Sequence, residues 1–192
     1  MNQISESEIR EIVQRVMQQT GQAPLASTVS QPASQSPIPD KKMVAIGSDH
    51  GGFEMKAALI EYLKELKYEV IDCGTNSKDA VDYPDFALAV AELVRQGKAW
   101  RGIMIDGAGI GSCMVANKVP GIRAAMAYDY ASASNSREHN NANYLTLGAG
   151  LIGLNQAKLI VKTWLATEFA GGRHQTRVDK IMQVEKKFMK EG

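Results

Sequence analysis

MVAIGSDHGGFEMKAALIEYLKEL, residues 43–66, decides how this chain folds. Met43 to Gly47 is an apolar run of strand length, Ser48 to Gly52 is a polar turn ending in two glycines, and Phe53 to Leu66 repeats apolar residues at helical spacing. A second apolar run, Glu69 to Gly74, follows at once. Strand, turn, helix, strand is a βαβ unit. The alternation continues with strands read at 102–106, 123–128 and 144–148 and helices at 84–95, 112–118, 130–138 and 154–169, with a last helix expected after Arg177. The pattern predicts an α/β fold with a five-stranded parallel sheet covered by helices on both faces. Right-handed crossovers place Asp49 and Asp106, at the ends of the first and third strands, on one rim of that sheet.

Polar and glycine clusters gather at these junctions: Asp49-His50-Gly51-Gly52, Asp106 to Ser112, Glu138 to Asn141, and Gly171 to Arg177. They hold all 3 histidines of the chain. Gly107, Gly109 and Gly111 permit backbone conformations closed to other residues, and amides at a helix start can turn inward to hold an anion. A glycine-rich turn can also serve packing alone. A dinucleotide fold is disfavoured, because its glycine fingerprint should follow the first strand, where Ser48-Asp49-His50 stands instead. Arg173 and Arg177 are four apart, which on a helix puts two guanidinium forks on one face, suited to a phosphate. The bland alternative is a solvated basic turn. His50 and His139 titrate in the range useful for proton transfer near neutral pH. No His-x-x-x-His or Cys-x-x-Cys pair suggests a metal, and none is expected.

The chain has 192 residues, 44% of them hydrophobic, enough for one globular domain with an appendage. A formal net charge of +1 gives no general electrostatic reason to expect nucleic acid, so a small-molecule ligand is expected. Cys73 and Cys113 are too few for a disulfide framework. No secretory segment or apolar run of membrane-spanning length is seen, so a cytoplasmic protein with no membrane partner is expected.

Residues 1–20 contain Ile9, Ile12, Val13, Val16 and Met17 on one helical face, with Ser5 and Glu8 spaced as a capping box. Residues 21–42 are rich in Gln, Ser, Ala and Pro and read as an extended tether; residues 43–192 form the domain. Glu6, Glu8 and Glu11 argue against a mitochondrial transit peptide. A terminal amphipathic helix on a Pro/Ser/Gln linker resembles the encapsulation peptides that carry enzymes into bacterial microcompartments. That resemblance implies a shell protein as partner; the plainer alternative is a leader, or a helix docked on its own domain.

From about Val44 to Ile181 the clusters resemble, in order, the ribose-5-phosphate isomerase B and galactose-6-phosphate isomerase family. The matching motifs are Gly-Ser-Asp-His-Gly-Gly, Asp82-Tyr83-Pro84, Ala116-Asn117-Lys118, His139-Asn140-Asn141 and the final Gly-Gly-Arg-His-Gln-x-Arg. The resemblance implies a Rossmann-like three-layer domain and a homodimer or homotetramer with active sites at a subunit interface. It also implies metal-free, cofactor-free aldose–ketose isomerisation of a sugar phosphate. His139 would assist ring opening with Asn140 beside it, Asp49 and Tyr83 would touch sugar hydroxyls, and His50, Arg173 and Arg177 would hold the phosphate. The amides of Gly107 to Gly111 would stabilise the enediolate.

The departures matter as much. Asp106 stands where members with ribose activity usually carry a cysteine base, Ser112 where others carry a glutamate base, Ala108 where the loop has threonine or serine, and Gly150 where an arginine often joins the phosphate site. Asp106 in that setting looks closest to one of the two subunit types of galactose-6-phosphate isomerase, which works with a cysteine-bearing partner. Two mechanisms follow. Asp106 is itself the base, or the chain is a partner-dependent or non-catalytic sugar-phosphate-binding subunit. Ribose 5-phosphate is the default substrate, with another four- to six-carbon aldose phosphate, such as galactose 6-phosphate, as the alternative. Cys113, seven residues from the family's cysteine position, is expected to pack.

Overall fold

The computed structural model describes residues 42–189. The helix expected at 1–20 and nearly all of the tether expected at 21–42 lie outside them. Five strands, β1 (Met43–Ser48), β2 (Glu69–Asp72), β3 (Arg101–Asp106), β4 (Ala124–Met126) and β5 (Tyr144–Gly148), form one parallel sheet in the order β2-β1-β3-β5-β4. Between and after them run α1 (Phe53–Glu65), α2 (Tyr83–Arg95), α3 (Ile110–Ala116), α4 (Tyr130–Glu138), α5 (Leu154–Ala166) and α6 (Arg173–Phe188).

The period of two along each strand divides the core. Val44, Ile46, Ile103, Ile105, Leu145 and Leu147 face α1, α4 and α5, where Leu59, Leu63, Ala133, Ile160 and Trp164 bury against them. Ala45, Met104 and Tyr144 face the other way, onto Ala87, Val90 and Ala91 of α2 and Ala116 of α3. Each fully buried Leu or Ile contributes on the order of 1.5–3 kcal/mol. Helices thus cover both faces, as the sequence pattern predicts. The chain leaves β1 toward β2 on one side and enters β3 on the other, so a crevice opens at the carboxyl ends of β1 and β3.

Several element ends differ from expectation, two of them for a visible local reason. The last helix begins at Arg173, not beyond Arg177, so both arginines lie in its first five residues. α3 starts at Ile110, because Gly109 takes φ +77° as its N-cap. β2 stops at Asp72, whose carboxylate accepts the Gly74 N–H at 2.9 Å and ends the ladder. β4 keeps only three residues. α5 stops at Ala166, and Thr167 is extended.

Candidate active site

The crevice is built from the two loops that leave β1 and β3. The Asp49 N–H donates to the Ile105 carbonyl at 3.3 Å, which holds the loops side by side. Asp49 and Asp106 are both buried. One Asp49 oxygen, Oδ1, accepts the Gly52 N–H at 3.1 Å and closes the turn into α1. Asp106 is held far more tightly. Its Oδ1 accepts the N–H of Ala108 at 2.8 Å and of Gly109, and its Oδ2 accepts the N–H of Ser112 at 3.2 Å and the Ser112 hydroxyl. The glycine-rich loop therefore wraps around the carboxylate that precedes it. Two amides of the anticipated anion cradle, Ala108 and Gly109, already have an anion in Asp106.

Tyr83, at the start of α2, lays its ring on this loop. A Cβ at Gly111 would come within 2.5 Å of Tyr83 Cζ, so the missing side chain is what admits the ring. His50 is exposed, with Nδ1 3.2 Å from both the carbonyl and the N–H of Val81, in the segment leading to Tyr83. The β5–α5 turn completes the rim: Gly150 donates to the Gly107 carbonyl at 2.9 Å. Asp49, His50, Tyr83, Asp106, Gly107, Gly109 and Gly111 are thus together at the carboxyl edge of the sheet.

His139, Asn140, Arg173 and Arg177 are together elsewhere. They follow or begin helices on the opposite edge, where α4 ends and β5 begins; Asn143 accepts the Gly102 N–H at 3.0 Å at the start of β3. The Glu138 carbonyl takes the Ala170 N–H at 3.0 Å and so ties the approach to α6 to the end of α4. His139 stacks on His174 with ring centroids 4.1 Å apart and planes 3° apart. Nδ1 of His139 lies 2.8 Å from the Asn135 side-chain amide. Burial, with the charges of His139, Arg173 and Arg177, holds the His174 imidazole below its ordinary pKa, while Glu138 pulls it up. Asn140, Arg173 and Arg177 are exposed. Along β3, five residue steps of about 3.3 Å separate the two edges by about 16 Å. Among the described residues no three His, Cys, Asp or Glu side chains converge to hold a metal ion.

The ribose/galactose isomerase family model matches residues 44–181. Ribose-5-phosphate isomerase B of Escherichia coli is 44% identical over 146 residues, 76% of this chain and 98% of that protein. The solved structure of Clostridium thermocellum ribose-5-phosphate isomerase B superposes with a TM-score of 0.75 at 54% identity, covering 76% of this chain and 99% of that one. That of the Mycoplasma genitalium enzyme, with bound ribulose-5-phosphate, gives 0.73 at 42% identity, over 75% and 96%. The chain belongs to the ribose/galactose isomerase family.

Within this ribose/galactose isomerase domain, the structure gives three residues contacts that the sequence reading did not assign to them. Ser112 supplies two of the four bonds to Asp106. His174 is the stacking partner of His139, and its place between two arginines in the last cluster was the signal. Lys56, 2% exposed, donates to both Asp72 oxygens at 2.7 and 2.8 Å and to the Thr75 carbonyl at 3.0 Å, pinning the start of the loop that carries Val81 and Tyr83. A lysine amid the apolar positions of a helix was the signal there.

Proposed function

We propose that this chain is an aldose–ketose isomerase of phosphorylated sugars, interconverting ribose 5-phosphate and ribulose 5-phosphate, and that its complete active site forms between two copies. The observation that carries the reading is the pairing of buried carboxylates with glycine-loop amides in the β1–β3 crevice of a member of this family. Isomerisation through an enediolate needs a group to move a proton between C2 and C1 and donors for the oxygen that gains charge, and such donors are often the largest catalytic contribution. The names of the relatives, and the ribulose-5-phosphate held by the Mycoplasma genitalium structure, support the choice of pentose.

Distance supports a second copy. A pentose phosphate does not span about 16 Å of sheet, so His139, Asn140, Arg173 and Arg177 of one copy reach the crevice of another. There His139 assists ring opening and the arginines grip the phosphate. A groove of about 430 Å³, lined by Ile122, Ala124, Ala142, Ile181 and Val184, lies beside Asn140, and the exposed Ile181, Val184 and Phe188 of α6 offer apolar surface for such an association. A cysteine-bearing homologue as the second chain is the alternative partner. Residues 1–20 are proposed to dock on a microcompartment shell protein. No helix among the described residues is long and apolar enough to cross a membrane.

Solvent-deuterium incorporation at C1 or C2, followed by NMR over a panel of four- to six-carbon aldose and ketose phosphates, tests the activity. Exchange with ribose 5-phosphate by the homogeneous chain is expected. Exchange only with a four- or six-carbon member would move the substrate, and none at all would end the isomerase reading. Deleting residues 1–42 should leave exchange intact and abolish co-sedimentation with shells; an equal loss of both would assign the segment to the catalytic domain.

A further inference from the structure

We infer that Asp106 clamps the glycine-rich loop and that Asp49, across the crevice, carries the substrate proton. The assignment rests on the isomerase reading. A carboxylate offers about four lone-pair directions. In Asp106 all four are taken, by the amides of Ala108, Gly109 and Ser112 and by the Ser112 hydroxyl. To accept a proton from carbon, Asp106 must release at least one of these donors and open the loop that it holds. Asp49 is placed differently. Oδ1 accepts one bond, from Gly52, and Oδ2 has no hydrogen-bond partner among the described residues, although the residue is only 7% exposed. In the same crevice is the Gly107 N–H, for which no acceptor is found among the described residues. Gly51 keeps the space between them open: a Cβ there would lie 3.3 Å from Asp49 Oδ1 and 3.5 Å from Gly107 N. One crevice thus holds a carboxylate oxygen without a partner and an amide donor without an acceptor, the two elements that proton abstraction beside a carbonyl needs.

The step balances on the open-chain aldose. Asp49 takes the C2 proton, the C2–H electron pair becomes the C1=C2 bond, and the carbonyl pair moves to O1, where the Gly107 N–H meets it. O1 then gains a proton as O2 loses one. Asp49 returns its proton to C1 while C2 becomes the carbonyl of the ketose. No oxidant, reductant or metal enters.

The experiment is solvent-deuterium exchange into ribose 5-phosphate by the full chain and by its Asp49→Asn and Asp106→Asn variants, with folding followed by circular dichroism and binding of inorganic phosphate by calorimetry. Asp49→Asn should lose exchange by at least about 10³-fold with phosphate binding kept. Asp106→Asn should lower exchange no more than roughly thirty-fold, against the 10²–10⁴ of a lost base, and should speed hydrogen exchange at the amides of Ala108, Gly109 and Ser112. Abolished exchange in a folded Asp106→Asn, or retained exchange in Asp49→Asn, overturns the assignment. Should Asp106→Asn fail to fold, Ser112→Ala decides. Removing that hydroxyl frees a lone pair on Asp106, so exchange rises if Asp106 is the base and falls if it is the clamp. No exchange by the unsubstituted chain with any sugar phosphate overturns the isomerase reading itself.

Discussion

Cys113 lies in the first turn of α3 with its thiol 3.6 Å from the Ala124 carbonyl and 3.6 Å from the Asn117 side-chain amide. Burial pushes its pKa up, which keeps it a protonated packing group rather than a nucleophile. Cys113→Ser should leave isomerisation within a few-fold; a loss of more than about 10²-fold would make the thiol a participant. His174 gives a pH prediction. Its pKa is held below the ordinary 6.5, so the unfolded chain binds a proton there at pH values where the folded chain does not. Stability is therefore lost as pH falls through 6.5 toward the lower folded value, and is indifferent to this residue well above it. His174→Gln should show a smaller fall in Tm between about pH 7.5 and about pH 5 than the unsubstituted chain; an equal fall would assign the acid sensitivity elsewhere. At this scale the polar residues of the two edges were legible in the sequence but not what holds them. Asp106 was legible as a carboxylate at a strand end, whereas its four bonds depend on φ +77° at Gly109 turning the amides back onto it, a geometry that composition does not encode.

Elements show the same division between order and boundary. The sequence of strands and helices follows from apolar periodicity and was readable throughout, because each element buries one face or stripe against a neighbour. Boundaries depend on single polar contacts between elements. β2 ends at Asp72 because that side chain turns to Gly74 and to Lys56 of α1, a contact 16 residues away that no local pattern announces. The same lysine supports the loop in front of α2, so α1 is coupled through it to Tyr83. Lys56→Met should destabilise the domain by about 1–3 kcal/mol, below the roughly 3–5 kcal/mol of a fully buried pair that loses one partner, since Asp72 remains 39% exposed and can rehydrate. Urea unfolding measures the loss, and an unchanged midpoint would mean that the ion pair holds nothing in place.

For the molecule as a whole, topology separates what the sequence presents as one set of clusters. A residue after a strand of a parallel sheet lies at the carboxyl edge, and a residue after the returning helix lies at the opposite edge. Asp49 and Asp106 follow strands, whereas His139 and Asn140 follow α4. That distinction was available in the sequence; the surface on which the proposed second copy would dock was not, since such a face is assembled from distant segments. The proposed composite site predicts complementation. Mixing Asp49→Asn with His139→Asn chains, each inactive alone, should restore roughly a quarter of full activity in a dimer, because half the dimers pair unlike chains and one of their two sites is intact. No recovery after subunits are shown to exchange would place the whole site within one copy. The clamped loop has a kinetic consequence. A loop that already encloses an anion of its own takes its working shape before any ligand arrives, so capture does not wait for a closing motion. Binding transients should then be single exponentials whose observed rate climbs linearly with ligand concentration, without the plateau that a slow isomerisation of the empty protein would impose.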